Sequence, residues 1–301
     1  MVALSLSTAS TATPPWRWPT LTVFGSAPSI ESTAALSPKV PTRRTSAPGA
    51  CSAATASARP IQCRRVKPVA IFRFARSEGP AYFATVLERS SIPWTLIALD
   101  EGAKVPRDAA AYSGLAFMGG PMSANDALPW IAPVIELTRD AVRRDLPTLG
   151  HCLGGQLMAR AFGGEVTRNS IAEIGWGEVR IADNAVAADW FGALEAFEAF
   201  HWHGETFSIP PGATRVLTNA HCENQAFALG KHFGMQCHVE MTEELVRAWC
   251  RAGRDEIERS AASPGVQRPD EILRDLAPRL GRLHELADRI YERWSARLPR
   301  G

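Results

Sequence analysis

The sequence Gly150-His151-Cys152-Leu153-Gly154-Gly155-Gln156 lies between an apolar run at 146–150 and a helical pattern at 153–162. The apolar run predicts a short strand, and a Gly-Gly pair ends the predicted helix. Glycines two residues before and two residues after Cys152 permit a sharp strand-to-helix turn that holds the thiol in a strained position. Because a helix dipole stabilises a thiolate, we also expect a lowered pKa for Cys152. The pattern predicts a cysteine nucleophile.

Strand and helix patterns alternate on the N-terminal side of this turn. Buried strands are predicted for the short apolar runs at 69–74, 94–99 and 114–118. Helices are predicted for residues 79–89 and for the amphipathic segment that Pro129 opens. Alternation at this spacing implies parallel strands joined by right-handed crossovers.

The C-terminal half of the chain changes in character twice. Residues 175–240 contain strand patterns at 178–181, 215–217 and 225–229, which is typical of antiparallel strands added to a parallel core. After them, apolar residues at steps of three and four up to residue 298 predict a helix. We expect the Leu283, Ile290 and Trp294 side of this helix to pack on the domain.

These patterns predict an α/β fold, a three-layer sandwich with a mostly parallel central sheet and a helical C-terminal extension. We assign residues 67–252 to the α/β domain and residues 253–301 to the extension. Residues 1–66 are set apart, because Ser, Thr, Ala and Pro dominate them and no hydrophobic period is long enough to bury a face.

Three explanations of residues 1–66 remain open. The segment carries seven basic side chains and one acidic one, which suits an organellar transit peptide. It also suits a disordered tail. We favour a third explanation, a translation start assigned too far upstream of a true start at Val66 or Val69. We expect these residues to contribute nothing to stability or catalysis.

Composition excludes several classes of function. The net charge of +2 gives no argument for nucleic-acid binding. No stretch of about 18 uncharged apolar residues predicts a membrane-spanning helix. The six cysteines form no Cys-x-x-Cys pair, which argues against a thiolate zinc site. A long chain with sparse cysteines favours a reducing, cytoplasmic location.

A cysteine nucleophile needs a base, and the segment 235–240 supplies a candidate. In an extended strand, residues two apart point the same way, so His238 and Glu240 are predicted to project together, with Glu240 orienting the imidazole. The oxyanion of the reaction needs backbone donors. The turn Gly119-Gly120-Pro121 and the N–H of Leu153 are the candidates.

Three motifs together resemble the class I, triad-type glutamine amidotransferases, especially stand-alone relatives of the glutaminase domain of GMP synthase. The motifs are residues 150–156, residues 118–121 and His238-Val239-Glu240. Supporting stretches are 173–176, 201–207 and 224–227. The resemblance covers about 68–298 and implies the flavodoxin-like fold of that family.

The resemblance also implies a role for each matching residue. Cys152 would be the nucleophile, His238 the base and Glu240 its orienting partner. The implied oxyanion and substrate-binding residues are Gly119, Gly120, Leu153, Gln156 and His203. No cofactor and no metal are implied.

The implied reaction is hydrolysis of the glutamine γ-amide through a cysteinyl γ-glutamyl thioester. The released ammonia would go to an acceptor on another protein, a synthetase partner, because this sequence has no ATP-pyrophosphatase loop. One alternative is a γ-glutamyl peptidase that uses the same triad on another γ-glutamyl compound. A second is a non-enzymatic binding module. A metal hydrolase, suggested by the histidines between 201 and 238, is disfavoured because no helical ligand spacing occurs.

Overall fold

A computed structural model of the chain describes residues 67–299, so the predictions for residues 1–66 lie outside the described residues. The first half contains β1 (Val69–Arg73), α1 (Ala81–Arg89), β2 (Trp94–Ala98), β3 (Gly114–Phe117), α2 (Ile131–Arg143), β4 (Thr148–His151) and α3 (Leu153–Ala161). The second half contains β5 (Val166–Ile181), α4 (Ala185–Phe191), β6 (Ala196–Phe207), β7 (Thr214–Thr218), β8 (Ala226–Leu229), β9 (His232–Met235), α5 (Glu243–Ala252), α6 (Arg254–Ser260), β10 (Gly265–Val266), α7 (Pro269–Ile272) and α8 (Leu276–Ser295).

All these strands belong to one sheet, with the order β10-β5-β7-β8-β9-β4-β3-β1-β2 and with β6 paired to β5. The stretch β2-β1-β3-β4-β9 is parallel, and β5 to β9 add antiparallel pairs. The predicted α/β fold, with a parallel core extended by antiparallel strands, is confirmed. The predicted strands β1 to β4 lie within two residues of their expected bounds.

The long hairpin of β5 and β6 differs from the prediction. Sequence periodicity predicts only its end, at 178–181, whereas β5 has 16 residues and β6 has 12. Five consecutive residues of β6, 199–203, are buried, and two of them are histidines. Burial on both faces removes the alternation that marks a strand, and buried histidines do not count as apolar.

The predicted inner face of the C-terminal helix is confirmed. Leu283, Ile290 and Trp294 on α8 are at most 1% exposed, and α8 packs against α1 and α4. The short strand β10 pairs with β5, so the chain beyond residue 252 joins the same sheet. The domain boundary at 252 stays a prediction. Within residues 67–299, no helix is long and apolar enough to cross a bilayer.

Truncation of a buried side chain on α8 tests how much this helix stabilises the fold. We expect Ile290→Ala to lower the free energy of unfolding by about 2 to 5 kcal/mol, because it leaves a cavity in a close-packed interface. Urea unfolding measures this change. The matched control is Glu285→Ala, an exposed position on the same helix, expected to change stability by less than about 0.5 kcal/mol. Equal effects of the two substitutions would contradict the packing role.

Candidate active site

Cys152 occupies a strained turn between β4 and α3, as the sequence predicts. Its φ of 47° and ψ of −108° place a non-glycine residue in left-handed backbone space. The neighbouring glycines are needed because backbones approach closely here. A Cβ at Gly150 would lie 2.6 Å from Gly154, and a Cβ at Gly154 would lie 2.1 Å from the Phe117 carbonyl oxygen. The turn therefore fixes the thiol at the N-terminus of α3.

His238 and Glu240 form a buried pair just after β9. The Nδ1 of His238 lies 2.6 Å from Oε1 of Glu240, and both residues are at most 2% exposed. Although β9 ends at Met235, backbone hydrogen bonds to Phe200 hold His238 in extended geometry, so the two side chains point the same way. Nε2 of His238 has no hydrogen-bond partner among the described residues. That nitrogen is available to a substrate or to the thiol.

Glu240 also contacts a second histidine on its other side. The Nε2 of His151 lies 3.8 Å from Oε2 of Glu240 and 2.9 Å from the hydroxyl of Tyr291 on α8. Burial by itself would raise the pKa of Glu240, but His151, His238 and the hydrogen bond from His238 outweigh it and lower this pKa to about 2. Glu240 is therefore a carboxylate at neutral pH. Sequence reasoning gave His151 no role, because its contact with α8 joins residues 140 positions apart.

The thiol of Cys152 rests in its protonated form. Burial, followed by the negative charges of Glu78 and Glu240, raises its pKa well above the usual range, although the N–H of Leu153 opposes this. The predicted lowering of the thiol pKa is wrong, because desolvation and nearby carboxylates outweigh the helix dipole. The Sγ of Cys152 lies 3.8 Å from the Trp202 carbonyl oxygen. The side-chain amide of Gln236 donates a hydrogen bond to this sulfur at 3.4 Å.

One cavity collects most of the residues that the sequence predicts. It is lined by Cys152, His238, Gly120, Gln156 and His203. Leu153 contributes its backbone N–H beside the thiol. Gly119 lies instead between two side chains, since a Cβ there would be 2.5 Å from Oε2 of Glu78 and 3.1 Å from Cε1 of His238. The structure thus brings the predicted residues together, while their roles stay predictions.

An oxygen atom lies close to each ring nitrogen of His203. Nδ1 lies 3.0 Å from the Glu205 carbonyl oxygen, and Nε2 lies 3.1 Å from Oε2 of Glu173. Glu173 also accepts hydrogen bonds from the side chains of Asn219 at 2.6 Å and Gln225 at 2.8 Å. His203 therefore forms part of the cavity wall, fixed by a buried network behind it.

This network contains the group of residues best placed to hold a metal ion in the described part of the chain. Ligand atoms of Glu173, His203 and Cys222 lie within 4.8 Å of one another. Burial raises the pKa of the Cys222 thiol to about 11, so it is protonated at neutral pH. Since Glu173 already accepts two amide hydrogen bonds, hydrogen bonding accounts for the cluster.

Several cavity-lining residues escaped sequence reasoning. They are Glu78, Ser123, Asp126, Trp249 and Glu256, whereas Trp202 and Glu205 belong to the stretch 201–207 that supports the family resemblance. Glu78 follows β1, Glu205 lies on β6 and Glu256 lies on α6. No local spacing signals Glu78, the loop residues Ser123 and Asp126, Trp249 or Glu256, because they come from separate parts of the chain that only the tertiary fold brings together.

Buried His201, in the network behind the cavity, predicts a pH dependence of stability. Burial lowers its pKa from 6.5 to about 4, so the unfolded chain binds one more proton between these values. The free energy of unfolding therefore falls as the pH falls from 6.5 to 4, by about 1.4 kcal/mol per pH unit for this group.

The substitution His201→Gln should weaken this dependence, as measured by urea unfolding at pH 7, 6, 5 and 4. The partly exposed His221 provides the matched control, His221→Gln. An unchanged slope in His201→Gln would show that His201 is not the residue responsible.

Comparisons with known proteins agree with this geometry. The family model described as glutamine amidotransferase class-I matches residues 84–247. A solved structure of a glutamine amido transferase from Methylobacillus flagellatus is 46% identical, with a TM-score of 0.76 over 78% of this chain and 97% of that one.

Two curated relatives carry more specific names. A GMP synthase [glutamine-hydrolyzing] of Aromatoleum aromaticum is 29% identical over 48% of this chain. The match covers only 30% of that protein's length. A gamma-glutamyl peptidase 3 of Arabidopsis thaliana is 27% identical over 54% of this chain and 69% of that one. The fold, the Cys152 turn and these matches lead to one conclusion: the chain belongs to the class I glutamine amidotransferase family.

Proposed function

We propose that this protein cleaves γ-glutamyl amide bonds through a γ-glutamyl thioester on Cys152, with glutamine as the simplest substrate. One observation carries the proposal. Cys152, at a strained strand-to-helix turn, shares a cavity with His238, whose Nδ1 is bound to Glu240 at 2.6 Å and whose Nε2 is unpartnered among the described residues. A nucleophile, a base and a group that orients the base are the parts that acyl transfer requires.

Acylation is the first half of the proposed reaction. His238 Nε2 accepts the proton of the Cys152 thiol as sulfur attacks the γ-carbonyl carbon. Backbone N–H groups of Gly120 and Leu153 stabilise the tetrahedral oxyanion. The C–N bond then breaks, and the proton on His238 passes to the departing nitrogen. With glutamine as substrate, ammonia leaves.

Deacylation repeats the proton transfers with water. His238 takes a proton from water, whose oxygen attacks the thioester carbonyl, and the C–S bond breaks to release glutamate and the thiol. Glu240 stays ionised throughout, because the histidines on both sides hold its pKa near 2. Its charge stabilises the imidazolium that forms in each step.

Gln156 and Gln236 connect the cavity wall to the thiol. The Gln156 side-chain amide donates to Oε1 of Gln236 at 3.1 Å, and the Gln236 amide donates to the Cys152 sulfur at 3.4 Å. The two amides therefore have fixed orientations. In the proposed reaction, Gln156 lies beside the γ-glutamyl group and Gln236 positions the sulfur.

The destination of the nitrogen is the finer part of the proposal. The matched GMP synthase is named for glutamine hydrolysis, which supports transfer of the ammonia to a synthetase partner. The competing function is a γ-glutamyl peptidase. It is favoured by the Trp249 indole beside His238 and the Trp202 indole in the same cavity, because an aromatic wall suits a leaving group larger than ammonia. A purely binding role leaves the triad without a use.

Substitutions in the triad test the proposal. We expect Cys152→Ala and His238→Gln each to lower glutamate release from glutamine and γ-glutamyl peptides by about a thousandfold or more, because each removes a reacting group. Glu240→Gln should cost less, since it removes an orienting charge. Mass spectrometry should detect the γ-glutamyl adduct on Cys152 only in proteins that keep the thiol.

A second cysteine provides the matched control. Cys250→Ala changes a buried cysteine on α5 that does not line the cavity, and it should keep normal turnover. Full activity in Cys152→Ala, or a comparable loss in Cys250→Ala, would contradict the assignment of the nucleophile.

A further inference from the structure

Two pairs of acidic side chains line the catalytic cavity. Glu205 accepts a hydrogen bond from the Ser123 hydroxyl at 2.9 Å and interacts electrostatically with Asp126. Glu78 interacts electrostatically with Glu256. Among the described residues that line this cavity, none is a lysine or an arginine. Four carboxyl groups around one small cavity are far more than the single ammonium group of glutamine requires.

The carboxyl group of Glu78 has no hydrogen-bond partner in the part of the chain that the structure describes. Glu78 is 6% exposed, and it contributes to the wall of the cavity. Burial, then the charges of Glu240 and Glu256, raises its pKa well above the usual range. The carboxyl group faces the cavity without a side-chain partner, so a ligand bound in the cavity can supply one.

The position of Glu78 assigns it to the leaving-group side of the cavity. Its Oε2 and the Cε1 of His238 lie close to the same point beside Gly119, since a Cβ there would be 2.5 Å from the first and 3.1 Å from the second. His238 delivers its proton to the departing nitrogen, so groups beside His238 surround the amine that leaves. The ring of Trp249 also contacts His238, perpendicular to it at 5.0 Å between centroids.

Glu256 and Trp202 complete this side of the cavity. The Trp202 indole N–H donates to Oε2 of Glu256 at 2.9 Å, and the ring of Trp202 stands perpendicular to that of Trp249 at 5.8 Å. Arg259 lies near enough to Glu256 to lower its pKa, but burial dominates and the pKa is raised. Carboxyl groups beside indole rings suit an organic ammonium group, because its charge favours their ionised form and the rings attract it through cation–π contact.

We propose that Glu78, Glu256, Trp202 and Trp249 form a subsite for a cationic leaving group, so that the preferred substrates are γ-glutamyl amides of alkyl diamines or polyamines. This inference rests on the proposed cleavage through Cys152. The α-ammonium group of the γ-glutamyl part binds to the Glu205 and Asp126 pair. A second ammonium group, on the leaving amine, binds to the Glu78 and Glu256 pair.

The proposed reaction needs only the substrate and water. Sulfur of Cys152 bonds to the γ-carbon, the C–N bond breaks, and the amine nitrogen takes the proton that His238 received from the thiol. Water then hydrolyses the thioester to glutamate. The second ammonium of the diamine stays protonated throughout and serves only for recognition.

Three substrates of nearly equal length test the charge preference with the full-length protein. They are the γ-glutamyl amides of 1,4-diaminobutane, pentylamine and 4-aminobutanoate, which end in a positive, a neutral and a negative group. We expect kcat/KM for the diamine amide to exceed that for the pentyl amide on the order of tenfold to a hundredfold. The 4-aminobutanoate amide should be the poorest. Equal values, or a preference for the neutral or negative substrate, would overturn the subsite.

Variants connect this preference to the acidic pair. Glu78→Gln combined with Glu256→Gln should reduce the diamine-to-pentyl ratio of kcat/KM toward one, whereas Glu258→Gln, an exposed position on α6, should keep it. If the double variant fails to fold, inhibition of the unsubstituted protein by free 1,4-diaminobutane and pentylamine gives the same comparison. Inhibition by the diamine should be at least tenfold stronger, and equal inhibition would overturn the subsite.

Mass spectrometry of Cys152 distinguishes a failure of the cationic subsite from a failure of the proposed cleavage. A γ-glutamyl adduct formed equally fast from all three substrates would retain the proposed function and reject the cationic subsite. No adduct from any of them would reject the proposed function and the subsite with it.

Discussion

The carboxylate of Glu240, buried between two histidines, is the contact on which the rest of the site depends. A carboxylate that is 2% exposed is stable only where hydrogen bonds and opposite charge offset its loss of water. Here His238 faces it from one side at 2.6 Å and His151 from the other at 3.8 Å. Removing His238 would leave the buried charge of Glu240 without its hydrogen bond.

This contact links distant parts of the chain. His151 ends β4 and immediately precedes the strained Cys152, while its other partner, Tyr291, belongs to α8 near the C-terminus. The position of the base is therefore coupled through Glu240 to the turn that carries the nucleophile and to the terminal helix. The C-terminal helices also reach the cavity directly, through Glu256 on α6. They belong to the architecture of the site.

The parts of the site that sequence reasoning identified are those with local signals. The glycines around Cys152 indicate that two backbone segments approach closely. The two-residue spacing of His238 and Glu240 indicates that their side chains share one face of a strand. The acidic lining has no such signal, because Glu78, Glu205 and Glu256 meet only through the tertiary fold. The strands of the sheet also differ in their local signals. The short apolar strands were predictable from the sequence, whereas β6 was not, because its buried stretch contains histidines.

The wrong prediction of a lowered pKa for the Cys152 thiol also arises because the sequence does not show tertiary neighbours. A helix N-terminus is visible in the sequence, but the burial and the carboxylates that raise the pKa of Cys152 are not. Glu78 and Glu205 are among those carboxylates, and both line the cavity. A cation bound beside either would offset its charge and lower the pKa of the thiol. The protonation of the Cys152 thiol therefore depends on the charge of the carboxyl groups that line the cavity.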